Sequence, residues 1–178
     1  MDFQQSRTYQ NLLNAYDYEL MSSTIFELYA DQARRETLIE ISNVFDIITR
    51  NNKELARIWL RQINQGVLPN TSENLYAGIQ TENYAGNTMY RSYAEIANEE
   101  GYTDIASLFN GVANIKLNHA SELQPVYENV IRNEVFCKPV SVLWICMSCG
   151  NILSGLCAPV RCPVCGLPQG YYRVYSPV

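Results

Sequence analysis

Apolar side chains recur every three or four residues between about residues 7 and 132, which is the spacing of one face of a helix. This pattern predicts four helices, at about residues 7–35, 37–65, 73–100 and 103–132. Gly66 and Pro69 end the second helix, and Thr71-Ser72 is a plausible cap for the third. Each apolar stripe also contains polar residues: Glu19, Asn52, Glu82, and the pair Lys116 and His119. Buried polar groups need partners, so we expect these side chains to meet in the core.

The first two helices repeat as the last two. Asn11-Leu12 and Glu19 recur 63 positions later as Asn74-Leu75 and Glu82, and after one inserted residue the offset is 64, as from Tyr29-Ala30 to Tyr93-Ala94. Two hairpins related by a pseudo-twofold predict an all-α four-helix bundle. The repeat places Glu19 opposite Glu82, pairs Asn52 with Lys116, and pairs Leu55 with His119. One Glu from each of two helices and an i, i+3 pair from each of the others form the frame of a carboxylate-bridged di-metal site.

The tail carries a different metal pattern. Cys146-Met147-Ser148-Cys149-Gly150 is followed, after a spacer, by Cys162-Pro163-Val164-Cys165-Gly166. Two Cys-x-x-Cys pairs at this spacing predict one mononuclear site with four thiolate ligands, and the glycine after each pair permits a turn with positive φ. Such a site accepts either iron or zinc. We therefore predict a bundle over residues 1–134, an extended linker over 135–142, and a small β-rich metal module over 143–178.

Composition and charge limit which classes of partner, and which cellular compartment, we expect for this protein. The chain of 178 residues has a net charge of -5 and a pI near 4.9, so it lacks the basic stripe that nucleic acid requires. It has no apolar run of membrane-spanning length, and residues 1–10 do not resemble a signal peptide. These features predict a cytoplasmic protein that binds neither nucleic acid nor membrane. In a reducing compartment we expect Cys137 and Cys157 to remain free thiols.

The whole chain resembles the rubrerythrin family. The resemblance rests on Leu12-Leu13-Asn14-Ala15 before Glu19, Ser72-Glu73-Asn74-Leu75, Glu82-Asn83-Tyr84, Glu99-Glu100-Gly101-Tyr102, and the tail from Trp144 through Ala158-Pro159 to Pro168-Gln169-Gly170-Tyr171. It implies a ferritin-like di-iron bundle followed by a rubredoxin-like module whose ligands are Cys146, Cys149, Cys162 and Cys165. It also implies peroxide reduction at the di-iron centre, with electrons passing through the tetrathiolate iron, often across a dimer interface.

The chain departs from that family pattern at the bundle ligands. The family has Glu-x-x-His where this chain has Asn52 and Leu55, a second Glu where it has Lys116, and a further acid where it has Ala85. Glu19, Glu82 and His119 remain, too few anions for two ferric ions, which need about five. We predict that the di-iron centre is absent and that a Glu19, Lys116 and Glu82 cluster, hydrogen-bonded to His119, replaces it. Two alternatives are a single metal held by Glu82 and His119 with or without Glu19, and a catalytic Lys116.

Two functions of different classes follow. The first is a redox protein that transfers single electrons through a four-cysteine iron and receives them from a redox partner protein. Its bundle serves either as a homodimerisation scaffold, with the hairpins swapped between chains or not, or as half of a mixed assembly with an intact relative. The second is a structural or interaction protein with zinc in the tail. A residual peroxidase with an altered bundle metal is a third hypothesis.

Overall fold

The computed structural model describes residues 2–176 and confirms the predicted fold class, a mostly helical chain with a small strand-rich module at its C-terminal end. The helices are α1 (Arg7–Arg35), α2 (Ile39–Ile63), α3 (Thr71–Tyr84), α4 (Tyr90–Glu99) and α5 (Thr103–Ile131). The strands are β1 (Cys137–Cys146), β2 (Ile152–Cys157) and β3 (Tyr172–Val174). The chain divides into two compact units between Pro69 and Asn70. Within residues 2–176 no helix is both long enough and apolar enough to cross a membrane.

The first unit is the hairpin of α1 and α2. Ser6 caps α1 by accepting a hydrogen bond from the Tyr9 N–H at 3.0 Å. The buried residues of this unit are small, which lets two helices approach closely: Ser22, Ser23, Ala30, Ala33, Ser42, Thr49 and Ala56. Phe26 and Phe45 pack across the hairpin with ring centroids 5.8 Å apart.

The turn after α1 and the turn after α4 have the same geometry. At the first, Thr37 has φ 63° and the Leu38 N–H donates to the Ala33 carbonyl. At the second, Gly101 has φ 86° and the Tyr102 N–H donates to the Ala97 carbonyl. Both are Schellman-type helix ends, 64 residues apart, so the repeat detected in the sequence extends to backbone conformation.

Replacing Thr37 by glycine is expected to stabilise the protein by about 0.5–1 kcal/mol, because a β-branched residue is strained at positive φ. Urea unfolding measures the change. The matched control is Gly101→Ala, which is expected to destabilise by a similar amount, since nothing lies within 4 Å of an added Cβ and only the backbone is affected. A loss of stability in Thr37→Gly would contradict the prediction.

The second unit begins with a hairpin whose first arm is α3, a π-helical segment (Ala85–Met89) and α4. Asn70 and Glu73 form a capping box at the start of α3. The π-helical segment lies between Glu82 and Tyr93, where the repeat offset changes from 63 to 64. A single-residue insertion in a helix is accommodated as a π-bulge, which explains why the third predicted helix continues as one arm.

Gly86 in the π-helical segment allows α5 to approach closely. A Cβ at this position would lie 2.7 Å from Leu117 Cγ and 2.9 Å from the Ala113 carbonyl oxygen. Since the carbonyl oxygen belongs to the backbone, α5 itself must shift to make room. Gly86→Ala is therefore expected to cost about 1–2 kcal/mol of unfolding free energy in a denaturant titration.

The control for this substitution is Gly111→Ala in α5, where nothing lies within 4 Å of an added Cβ. There alanine is expected to add about 0.5–1 kcal/mol of stability by helix propensity alone. Equal effects at Gly86 and Gly111 would rule out the steric explanation.

The metal module is a three-stranded antiparallel sheet in the order β2-β1-β3. Strand β1 starts at Cys137, inside the stretch 135–142 that the sequence predicts as linker, because Cys137 pairs with Cys157 at the end of β2. These two cysteines form a disulfide, which corrects the expectation of two free thiols. The expectation was wrong because it considered the compartment alone, whereas cross-strand neighbours in a sheet are close enough to be bridged.

Candidate metal centre

Four cysteine sulfurs of the module converge on one point. The sulfurs of Cys146, Cys149, Cys162 and Cys165 all lie within 4.8 Å of one another. Cys146 Sγ is 3.7 Å from Cys165 Sγ, and Cys149 Sγ is 3.6 Å from Cys162 Sγ. A tetrahedral ion with metal–sulfur bonds of about 2.3 Å requires edges of about 3.8 Å, so the donor set fits a single tetrathiolate ion.

Two similar loops present these sulfurs. Gly150 and Gly166 follow the Cys-x-x-Cys pairs with φ 76° and 73°, the positive values expected at these glycines. In each loop the backbone carbonyl of the residue after glycine accepts a hydrogen bond from the N–H of the first cysteine: Asn151 accepts from Cys146, and Leu167 accepts from Cys162. The glycines thereby close two turns of the same shape around one centre.

Backbone N–H groups favour the thiolate form in both loops. The N–H groups of Cys149 and Ser148 hold the pKa of Cys146 below its usual value. The Asn151 N–H favours the Cys149 thiolate, but burial and the neighbouring cysteine sulfurs prevail and raise the pKa of Cys149 to about 12. Four thiols packed together cannot all ionise, so a cation is needed to hold four thiolates at this distance.

Cys162 is the most acidic of the group. The Tyr172 hydroxyl, followed by the N–H groups of Cys165 and Val164, lowers the pKa of Cys162 to about 6. Cys162 and Cys146 belong to the buried core of the module with Trp144, Ala158 and Tyr172. Trp144 is held in place by donating its indole N–H to the Gly155 carbonyl at 3.1 Å. This packing keeps water from one side of the sulfur cluster.

The helical hairpin of the second unit carries a separate polar cluster. Lys116 Nζ donates to Glu82 Oε1 at 3.0 Å, and His119 Nδ1 lies 2.9 Å from Glu82 Oε2. An ionised carboxylate only accepts, so His119 donates from Nδ1. The side chains of Glu82 and Lys116 are 19% and 29% exposed, whereas that of His119 is 50% exposed. Each carboxylate oxygen of Glu82 is therefore occupied by a nitrogen donor of α5.

Glu82 is ionised because of these contacts. Burial of the carboxyl raises its pKa, but the hydrogen bonds from Lys116 and His119 outweigh burial and hold the pKa of Glu82 below its usual value. A cleft of about 490 Å³ opens beside the cluster, lined by Gly78, Glu82, His119, Glu122, Leu123 and Val126. Sequence reasoning did not single out Glu122, which lies one turn after His119 on the same helix face.

The other residues predicted for the bundle site take no part in the contacts that the structure records for Glu82, Lys116 and His119. Glu19 is half-buried on α1, and Leu55 is exposed on α2. Asn52 Nδ2 donates to Ser22 Oγ at 2.9 Å, a partner within its own hairpin that the sequence did not predict. Ala85 is buried at the start of the π-helical segment. The membership of Glu19 in the Glu82 and Lys116 cluster stays a prediction.

The fold and the sulfur cluster together define a helical-hairpin protein with a C-terminal tetrathiolate module. The family model described as rubrerythrin matches residues 10–127, and the rubredoxin-like domain of rubrerythrin matches residues 144–173. The chain belongs to the rubrerythrin family.

Relatives match over nearly the whole chain. A rubrerythrin of Clostridium perfringens is 30% identical, and rubrerythrin-1 of Clostridium acetobutylicum is 28% identical; each match covers 96% of this chain and 95% of the relative. A solved structure of nigerythrin in a mixed-valence state is 20% identical over 96% of this chain and 87% of its own, with a TM-score of 0.36. A structural similarity this low supports no further conclusion about this chain.

Proposed function

We propose that this chain is a redox protein in which one iron, held by Cys146, Cys149, Cys162 and Cys165, carries single electrons. The main support for this proposal is the spacing of the four sulfurs, which matches what one tetrahedral ion requires. Iron between four thiolates cycles by one electron, whereas zinc does not. The protein supplies the thiolates, the backbone N–H donors that stabilise them, and the apolar cover of Trp144.

Metal content and a visible spectrum of anaerobically purified protein test this proposal. We expect one iron per chain with a ferric-thiolate spectrum after oxidation. One zinc without iron would overturn the proposal and favour the structural or interaction protein. About three irons would instead indicate that the bundle holds a di-iron centre.

We further propose that the bundle has lost its di-iron centre and holds an ion cluster in its place. Lys116 and His119 engage both oxygens of Glu82, which supports this proposal because metal binding would have to break both contacts. The ammonium of Lys116 supplies the positive charge that iron would otherwise bring. On this view the helices serve as scaffold rather than as the site of peroxide reduction.

A second copy of this chain is the partner we propose for the helices. Large apolar residues are exposed at equivalent positions of both hairpins: Ile41 and its repeat equivalent Ile105 are each 46% exposed, and Val44 and Leu108 are also exposed. Apolar surface of this extent favours association. Light scattering is expected to give twice the chain mass of 20.3 kDa, and Leu108→Glu is expected to lower it. A monomer at all concentrations would contradict the proposal.

We also propose two protein partners. One is a separate protein that donates electrons to the four-cysteine iron, and the other is an intact relative that assembles with this chain. Cytoplasmic location stays a proposal: the four thiols must be reduced to bind metal, which favours a reducing compartment, whereas the Cys137–Cys157 disulfide argues against one.

A further inference from the structure

The two cysteines outside the sulfur cluster form a disulfide at one end of the module's sheet. Cys137 is the first residue of β1, Cys157 is the last residue of β2, and the two stand opposite each other in the register of the strands. Cys157 is exposed and Cys137 is half-buried. Thiol–disulfide exchange requires that a thiolate reach one sulfur of the bridge, so Cys157 is the half open to attack.

Exposed apolar residues lie next to the bridge in the chain. Leu156, which directly precedes Cys157, is 54% exposed, and Val135, two residues before Cys137, is 39% exposed. Apolar surface beside a reachable disulfide favours contact with a protein over contact with a small polar thiol. The partner class that fits this surface is therefore a protein that carries its own pair of thiols.

The bridge is connected to the core that contains two of the metal ligands. The residues directly beside it, Phe136 and Ala158, are joined by a hydrogen bond of 2.8 Å from the Ala158 N–H to the Phe136 carbonyl. Ala158 is 3% exposed and lies in the same buried cluster as Cys146 and Cys162, and Phe136 packs against that cluster. Opening the bridge therefore loosens a segment that packs against the ligand core.

The pairing of β1 with β2 is irregular next to the bridge. The register shifts between Cys137 and Val142, and the regular pairs begin at Val142 opposite Gly155. The bridge also closes a loop with a sequence separation of 20, which contains the ligands Cys146 and Cys149 but not the other two. A covalent loop leaves the unfolded chain fewer conformations, so the closed bridge favours the folded module.

Metal binding and the bridge stabilise the same fold. In a small metal module the free energy of metal binding includes the free energy of folding. Because the closed bridge favours the folded module, the closed form binds metal more tightly than the open form, and bound metal favours the closed bridge by the same factor. Bound metal also shields the four ligand thiolates from other reagents, so Cys137 and Cys157 can change redox state by themselves.

We propose that the Cys137–Cys157 bridge is a second redox site of this chain, which a dithiol protein opens by attack on Cys157 and which tightens metal binding when closed. This site works with either iron or zinc between the four cysteines and is independent of single-electron transfer. A reversible bridge agrees with the proposed cytoplasmic location, because disulfides in reducing compartments are usually transient and redox-active.

Opening the bridge takes up two electrons and two protons. A thiolate of the dithiol protein attacks Cys157 Sγ, the bond between the two sulfurs breaks, and Cys137 leaves as a thiolate that takes up a proton. The second thiol of the partner loses its proton and attacks the mixed disulfide, which releases the Cys157 thiolate to be protonated in turn. The bridge becomes two thiols and the partner's pair becomes a disulfide; the reverse reaction closes the bridge.

Thiol counting on the zinc-loaded chain tests the proposal. Bound zinc keeps the four ligand thiolates from alkylation, so iodoacetamide followed by mass spectrometry counts the thiols of the bridge alone. We expect none after incubation with excess oxidised thioredoxin and two after incubation with excess reduced thioredoxin, on Cys137 and Cys157. The matched control combines Cys137→Ser with Cys157→Ser and should give none in either case. The same count after both incubations of the unsubstituted chain would overturn the proposal.

A second experiment identifies the attacked sulfur. A thioredoxin variant in which serine replaces the second cysteine of its pair cannot resolve the mixed disulfide, so peptide mass mapping can locate the linked residue. We expect the link at Cys157. A link at Cys137 would contradict the proposed attack.

The effect on metal binding is measured by competition with a chromophoric zinc chelator. We expect zinc affinity to fall by about tenfold when reduced thioredoxin opens the bridge, a loss that still leaves the site occupied at stoichiometric zinc. In the double serine variant the affinity should equal that of the open form and should not respond to thioredoxin. Equal zinc affinities of the open and closed forms would overturn the proposed effect of the bridge on metal binding.

Discussion

Cys162→Ser is expected to weaken metal binding several hundredfold and to disorder the metal module while leaving the helices folded. Cys162 is 2% exposed, and its sulfur completes the four-sulfur cluster within the core of the module. Four-ligand thiolate sites bind metal with about 10–16 kcal/mol, so one ligand accounts for about 3–4 kcal/mol, or several hundredfold in affinity. Because this small module has a core of few residues, losing the ion also removes much of its folding free energy.

Elemental analysis measures the metal, far-UV circular dichroism the helices, and near-UV circular dichroism the packing of Trp144. The matched control is Cys157→Ser, which alters an exposed cysteine outside the four-sulfur cluster. This variant loses the disulfide with Cys137 but is expected to keep its metal. Full metal content in Cys162→Ser, or loss of metal in Cys157→Ser, would contradict this assignment of ligands.

The features predictable from sequence depend on short stretches of chain. Helix α1 has the predicted bounds, Arg7–Arg35, because the Ser6 cap, the apolar spacing and the turn at Thr37 are all set by residues in the helix or directly beside it. The positive φ angles at Gly150 and Gly166 follow from two local Cys-x-x-Cys-Gly patterns. The contact of Glu82 with Lys116 and His119 required one further step, the repeat, which aligns the helices in register.

The features that could not be predicted from the sequence depend on how a helix absorbs an inserted residue or on contacts between residues far apart in the chain. The one-residue change in repeat offset was visible, but nothing in the sequence said whether a π-helical segment or a loop would absorb it. The Cys137–Cys157 bridge needs the register of β1 against β2, which no local pattern specifies.

Lys116→Met is expected to lower the unfolding free energy at pH 7 by about 2–3 kcal/mol, somewhat less than the loss of a partner in a fully buried ion pair. The substitution keeps most of the side-chain volume but removes the ammonium that lies 3.0 Å from Glu82 Oε1. Glu82, which is 19% exposed, then retains only the neutral or charged His119 as donor, and burial raises its pKa. Urea unfolding monitored by circular dichroism measures the difference.

The stability that the Lys116–Glu82 contact contributes depends on pH in a definite direction. The Lys116 contact lowers the folded-state pKa of Glu82 below its unfolded value of 4.5, so the stabilisation is fully present above that pH and is lost as pH falls through the folded-state value. The difference between Lys116→Met and the unsubstituted protein should therefore be largest at pH 7 and shrink below about pH 4.5.

Two comparisons separate a buried ion cluster from a general effect of charge. Lys53→Met removes an ammonium from the exposed Lys53–Glu27 pair, where the side chains are 49% and 53% exposed, and is expected to cost less than about 1 kcal/mol. Adding Glu82→Gln to Lys116→Met is expected to restore part of the lost stability, because the uncompensated charge is removed. Unchanged stability of Lys116→Met at pH 7 would mean that the ammonium does not compensate Glu82, and the proposal that it stands in for metal would fail with it.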